Sequence, residues 1–227
     1  MKETLFIIPA RGGSKRLPGK NTKLFFGKPL IIYSLEYARQ FVGDDQICIS
    51  TDSEEIINCV KKFGYNCRFV RPAELSSDTA KTDEVLRHAY NYYSNSFDIN
   101  KIVLLQPTTP FRLQNSLDEA FVIFSKSDCD MVLSCKKIKG SPYTHLFEKN
   151  EEDYLVKSKT ASGAIPDVFE VNGSIYLIDA KKLMQMDLYK FNKIKMIEMS
   201  DYYSIDIDTI DDWDYAEYLV NSKKVKI

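Results

Sequence analysis

Short apolar runs recur along the chain, most without polar residues at alternate positions: LFIIPA (Leu5 to Ala10), QICIST (Gln46 to Thr51), CRFV (Cys67 to Val70), KIVLLQ (Lys101 to Gln106), DMVLSC (Asp130 to Cys135), GSIYLID (Gly173 to Asp179) and KIKMIEM (Lys193 to Met199). A strand that is apolar on both faces is covered on both faces, as strands are in a parallel sheet under helices. Between the runs, LIIYSLEYARQF, SEEIINCVKKF, DEVLRHAYNYY and SLDEAFVIF space their apolar residues as one face of a helix does. Ser53 with Glu55 predicts one helix N-terminus, and Ser116 with Glu119 predicts another in capping-box spacing.

Strand and helix alternate from residue 4 to about residue 135, which predicts an α/β fold: a mostly parallel sheet flanked by helices. Ligands of such sheets lie beyond the carboxyl ends of the strands. From Lys136 to Val171 the alternation lapses into a polar stretch containing GSPYTHLFEKNEEDY and KTASGAIPD. A loop of that length is usually functional, as a lid or as an arm toward another subunit. With no internal repeat or low-complexity tract, residues 1–227 are expected to form a single domain.

Composition narrows the classes. A chain of 227 residues with 44% hydrophobic content can bury a full core, and a formal net charge of −1 gives no general field for holding nucleic acid. Five cysteines, an odd number with no C-x-x-C pair, fit a reducing compartment, and the cytoplasm is the expected location. Leu5 to Ile8 is too short for a signal-peptide core, and no run approaches the roughly 20 apolar residues of a membrane span, so no membrane association is expected.

Against that balanced total, RGGSKRLPGKN (Arg11 to Asn21) stands out: four cationic side chains, three glycines, a proline and no acid, directly after a buried strand. Backbone N–H groups at Gly12 and Gly13 can approach an anion, and Arg11, Lys15, Arg16 and Lys20 can surround a polyphosphate, with Arg16 the one most readily left to solvent. The Gly13 to Gly19 interval and the Lys20-Asn21 ending depart from the Walker A pattern, and a solvated basic turn is the plain alternative.

Near the other end, SIDIDTIDDWD places Asp206 and Asp208 on one side of an extended segment, where both carboxylates can reach one hard cation; magnesium suits such a sparse oxygen set. Thr209, Asp211 and Asp212 read instead as the cap of the last helix. In LLQPTTPFR, a buried strand ends in Gln106 and a proline-stiffened turn, where either a polar substrate or an ordinary strand-to-helix turn fits. His88 and His145 have no metal-ligand spacing, and no serine sits in G-x-S-x-G.

Taken in order, IPARGGSKRLPGKN, STD (Ser50 to Asp52), RPAELSSDTA (Arg71 to Ala80), LLQPTTPFR, FEVNGSIY (Phe169 to Tyr176) and SIDIDT resemble the acylneuraminate cytidylyltransferases, or CMP-sialic acid synthetases, over nearly the whole chain. The resemblance implies a Rossmann-like nucleotidyltransferase fold with an inserted dimerisation arm at 138–172, which makes a homodimer the expected assembly. It implies a CTP site formed by Arg11, Gly12, Ser14, Lys15, Lys20 and Asn21, with Arg71, Ala80 and Thr82 near the cytosine. It places Gln106, Thr108, Phe169, Asn172 and Tyr176 on the sugar side and Mg2+ on Asp206 and Asp208. Lys20, Arg11 and Asp208 would carry the catalysis.

The implied reaction is attack by the anomeric C2 hydroxyl of a nonulosonic acid on the α-phosphorus of CTP, with pyrophosphate leaving. Whether a metal-bound water or Asp208 receives the hydroxyl proton stays open. One departure bears on the substrate: where relatives acting on N-acetylneuraminate carry an Arg-Gln pair in the arm this chain has Ser162 and Gly163, and Thr144 stands where some carry lysine. That shifts the expectation from N-acetylneuraminate toward a bacterial analogue such as legionaminic acid. The alternatives are a Kdo cytidylyltransferase and a non-catalytic nucleotide-binding protein.

Overall fold

The computed structural model describes residues 3–138, 140–160 and 162–227. In chain order the elements are β1 (Thr4–Pro9), β2 (Leu24–Phe25), β3 (Lys28–Pro29), α1 (Leu30–Arg39), β4 (Ile47–Ser50), α2 (Glu54–Lys62), α3 (Thr82–Tyr93), β5 (Lys101–Leu104), α4 (Gln114–Lys126), β6 (Met131–Lys137), β7 (Phe147–Lys149), β8 (Leu155–Lys157), β9 (Phe169–Asp179), α5 (Ala180–Gln185), β10 (Ile194–Glu198) and α6 (Ile210–Asn221).

Six strands form one sheet in the order β10-β6-β9-β5-β1-β4. Five run parallel, and β9 is antiparallel to both β5 and β6. The apolar runs become strands because each side chain has a covered face to enter: Phe6 and Ile8 pack with α1, α2 and α4, while Leu5 and Ile7 pack with α3 and α5. A third cluster, joining Phe25, Leu30 and Phe111 to Trp213 and Leu219, seats α6 beside the loop that follows β1.

The reversal at β9 puts the start of that strand at the same sheet edge as the carboxyl ends of β1, β4, β5, β6 and β10. Its NG dipeptide marks the spot: Gly173 has φ +75°, and the β6–β9 register shifts between Leu133 and Cys135. An L side chain is strained at that φ, and a Cβ there would also crowd the Gln106 Oε1 at 3.4 Å.

Three expectations change. CRFV is no strand: Cys67 and Phe69 are half-buried while Arg68 and Val70 face out, and the segment lies outside the sheet order. Ser116 caps nothing, because α4 starts earlier, after Leu113, and Ser116 is buried within it. The inserted stretch carries a small hairpin, β7–β8, and gives way to β9 at Phe169, so residues 169–172 of the expected arm belong to the central sheet. Lys139 and Ala161, inside that arm, lie outside the described residues. Ser53 does cap α2, accepting from the Ile56 N–H, and Thr209 with Asp212 forms a capping box on α6. All five cysteines are free thiols.

Candidate active site

The loop after β1 leaves the sheet between helices on opposite faces, the point where α/β sheets open a crevice. There it borders a cleft of about 310 Å³, which Gln106 and Thr108 enter from the end of β5, and Asp206 and Asp208 from the segment before α6. Arg11, Ser14, Lys15, Lys20 and Asn21 all line it, so both halves of the expected clamp share one space.

Asp208 holds the centre. Lys20 Nζ donates to Asp208 Oδ1 at 2.7 Å and to the Ile207 carbonyl at 3.1 Å, and Arg16 pairs with the other carboxylate oxygen. With the Lys20 side chain only 12% exposed and Asp208 29%, this pair is less screened than its neighbours. Arg16, the cation most readily left to solvent in the sequence reading, thus belongs to the site. Asp208 is itself anchored through the chain: its N–H and that of Thr209 donate to the Asp212 carboxylate at 3.0 and 2.8 Å. Burial works to raise the Asp212 pKa, but these bonds and the Thr209 hydroxyl outweigh it and hold the carboxyl below its usual range.

Asp206 titrates the other way. Enclosure by the cleft raises its pKa, a hydrogen bond from Thr108 opposes this, and the negative charge of Asp208 adds to the rise. A carboxyl whose charge is disfavoured by burial and by a neighbouring carboxylate suits an added cation. Among the described residues no group of three or more His, Cys, Asp or Glu converges as a metal cage, so an ion on this pair would need substrate oxygens to complete its shell.

The other cations meet an anion of the protein's own. Asp78, in the SSDTA loop, lies 2.6 Å from the Arg11 guanidinium and also pairs with Lys15. Hydrogen bonds from Lys15 and then Arg11 lower its pKa. Behind it, Arg71, Ala80 and Thr82 line a hollow of about 220 Å³ that Arg11 closes, bringing the expected base-side residues together. Arg71 is buried, with its Nε donating to Ser76 Oγ at 3.1 Å and its guanidinium 3.7 Å from Asp52.

Several of the expected site residues also hold the site together through contacts within the protein. The Gly12 N–H donates to Asp52 at 3.0 Å rather than facing the cleft, and a Cβ at Gly12 would stand 2.9 Å from the Ser53 Cβ, so glycine is needed there for close packing. Asn21 is buried and its amide donates to the Arg11 carbonyl. Thr108 lies beside Asp206, whose pKa it lowers by hydrogen bonding, and its carbonyl accepts the Ile207 N–H at 2.7 Å. The Asn172 amide is taken at both ends, accepting from Ser134 Oγ at 2.6 Å and donating to Ser204 Oγ at 2.9 Å, so it ties β9 to the turn before Asp206. Phe169 stands opposite Lys137 at the start of β9, away from the cleft and its adjoining hollows. Gln106 and Tyr176 do face open space, and burial followed by nearby Asp206 raises the Tyr176 pKa.

Arg112 went unnoticed in the sequence. It is buried with no carboxylate partner, donating to the carbonyls of Gln106 at 2.7 Å and Ser174 at 3.1 Å and to the hydroxyls of Ser34 and Thr109 at 2.9 Å. Burial pushes its pKa down to about 10, so the guanidinium stays charged at neutral pH beneath Gln106. Its place in LLQPTTPFR, one turn after Gln106, was the available signal.

A cationic loop and a carboxylate pair facing each other across the carboxyl edge of a largely parallel sheet define a nucleotidyltransferase. The chain belongs to the cytidylyltransferase family, which it matches over residues 5–225. It is 32% identical over 223 residues to the CMP-N,N'-diacetyllegionaminic acid synthase of Legionella pneumophila, covering 95% of each chain. It is 30% identical over 223 residues to the pseudaminic acid cytidylyltransferase of Campylobacter jejuni, covering 96% of each. In fold it is similar to a CMP-2-keto-3-deoxy-manno-octonic acid synthetase solved with CTP, at a TM-score of 0.71 and 18% identity, with 97% of this chain and 99% of the other covered.

Proposed function

We propose that this cytidylyltransferase transfers the cytidine monophosphate group of CTP to the anomeric C2 hydroxyl of a nonulosonic acid. The observation that carries the reading is the shared cleft of Lys20, Arg11, Gln106, Asp206 and Asp208. The hydroxyl oxygen forms a bond to the α-phosphorus, the bond to the pyrophosphate oxygen breaks, and the hydroxyl proton is released. Negative charge shifts onto phosphate oxygens, so preorganised cations stabilise the transition state.

Lys20 lines the cleft with its ammonium anchored by the Ile207 carbonyl and Asp208, which leaves it placed to meet a phosphate oxygen. Arg11 and Lys15 turn from Asp78 to the outer phosphates, and the hollow of Arg71, Ala80 and Thr82 takes the base. Asp206 and Asp208 would hold a magnesium ion, whose chemistry is to neutralise and orient the triphosphate. Gln106, fixed from below by Arg112, hydrogen-bonds the sugar acid.

A bacterial nonulosonic acid of the legionaminic or pseudaminic type is the favoured substrate class, supported by the names of the relatives in Legionella and Campylobacter. The arm is read as the dimer contact because its hairpin leaves Leu146, Phe147, Tyr154, Leu155 and Val156 exposed with no core of their own. No described helix is long and apolar enough to cross a membrane, and the cytoplasm is the proposed location. Pyrophosphate release that requires CTP, a divalent ion and a nonulosonic acid together tests the reading.

A further inference from the structure

On its sheet side the phosphate cleft adjoins two hollows that share Gln106 and Tyr176. One, of about 480 Å³, runs toward Leu188 and Tyr189. The other, of about 440 Å³, is floored by the start of β9 and includes Asp206. A nonulosonic acid carries its carboxylate on the same carbon as the attacking hydroxyl. That carboxylate therefore stays beside the reacting phosphate and the Asp206 and Asp208 pair, which places it in the hollow containing Asp206, while the far end of the sugar extends into the other.

This hollow is hostile to an anion. Glu170, Asp206 and Asp212 all line it, and among the described residues around it Lys136 is the one cation. An entering carboxylate meets acidic side chains on several sides unless a cation receives it. Lys136 is suitably placed: it stands near the carboxyl end of β6 in register with Glu170 on β9, with its Nζ 3.0 Å from the Glu170 carboxylate. The strand fixes its backbone, and the four-carbon stem leaves the ammonium free to swing. Its side chain is 31% exposed and that of Glu170 57%, so their pair is screened by water and cheap to exchange.

We propose that Lys136 is the residue that binds the carboxylate of the sugar acid, with Glu170 as the placeholder anion that the substrate displaces. The inference rests on the transfer reading above. It makes Lys136 a specificity residue for 2-keto acids over neutral sugars, on the main sheet and independent of the arm.

The test compares the wild-type enzyme with Lys136→Gln, Lys136→Arg and the charge-balanced double variant Lys136→Gln/Glu170→Gln, using a nonulosonic acid that the wild type turns over and its C1 carboxamide. Both glutamine variants should raise the KM for the acid roughly tenfold to a hundredfold, the range for losing a charge-assisted hydrogen bond, with the KM for CTP within about twofold. Lys136→Arg should restore most of the affinity. The preference for acid over carboxamide should collapse in the glutamine variants, which a purely structural role for Lys136 would not produce. An unchanged acid KM, or a preserved preference for the acid, overturns the assignment of Lys136 alone. A wild-type protein that releases no pyrophosphate with any nonulosonic acid overturns the transfer reading beneath it.

Discussion

Lys20 and Asp208 lie 188 positions apart in the chain, yet the lysine ammonium sits 2.7 Å from the carboxylate, with the Ile207 carbonyl as its second acceptor. The contact joins the loop after β1 to the segment before α6, so one pair unites the cation proposed to meet the phosphates with the carboxylate proposed to hold their metal ion. Lys20→Ala and Asp208→Asn should each lower kcat for pyrophosphate release by about 10²–10³-fold, the range for removing one preorganised transition-state contact. Both proteins should keep the far-ultraviolet circular dichroism of the wild type. Full activity in either variant would remove that residue from the reaction.

Asp78 pairs with Arg11 and Lys15, the cations proposed to meet the outer phosphates. Asp78→Asn should lower the KM for CTP about two- to fivefold, a modest factor because the pairs are solvent-exposed and screened. The difference should shrink in 0.5 M salt. Steady-state kinetics at two ionic strengths check both statements, and a raised KM would show instead that Asp78 contributes to the nucleotide site.

Asp212 gives the stability a definite pH signature. Its folded pKa is depressed, so its contribution is present above the unfolded carboxyl value of about 3.9 and is lost as the pH falls through the lower folded value. Asp212→Asn should destabilise the protein by about 1 kcal/mol at pH 6, as loss of a helix cap does, and the gap in Tm between the two proteins should close below about pH 4. A constant gap from pH 3 to 7 would mean that the carboxylate charge does not matter.

The strands on the central sheet were legible because burial on two faces leaves an unmistakable apolar run, as in Leu5 to Ile8. The direction of β9 was not, since a run such as GSIYLID reads the same toward either end of a sheet and only the helix-free arm before it hinted at a reversal. CRFV misled because an extended segment can half-bury Cys67 and Phe69 without joining a ladder. At the site, residue type identified the cleft but not the division of labour. Side chains that bind a ligand and side chains that brace the loop need the same polar groups, so the sequence could not show that Asn21 and Asn172 also tie segments of the site together. Asp78 and Asp52 act through partners distant in sequence, contacts that no local spacing encodes, and Arg112 acts largely through main-chain carbonyls, which residue type does not reveal.

Arg112 illustrates that last point with a measurable cost. Arg112→Met would remove the charged donor that links the Gln106 and Ser174 carbonyls and the Ser34 hydroxyl, and the expected loss is about 2–4 kcal/mol of stability, read from denaturant unfolding. At a temperature where the variant stays folded, the KM for the sugar acid should rise more than the KM for CTP, because Gln106 loses its support from below. Equal changes in the two constants would place Arg112 in the general core.

Pyrophosphate release from CTP across a panel of legionaminic, pseudaminic and N-acetylneuraminic acids and Kdo, each with and without magnesium, is the decisive measurement for the transfer reaction. Release is expected with at least one nine-carbon acid, dependent on both CTP and magnesium, and little with Kdo. Release with Kdo alone, or CTP binding with no turnover on any acid, would contradict the proposed function.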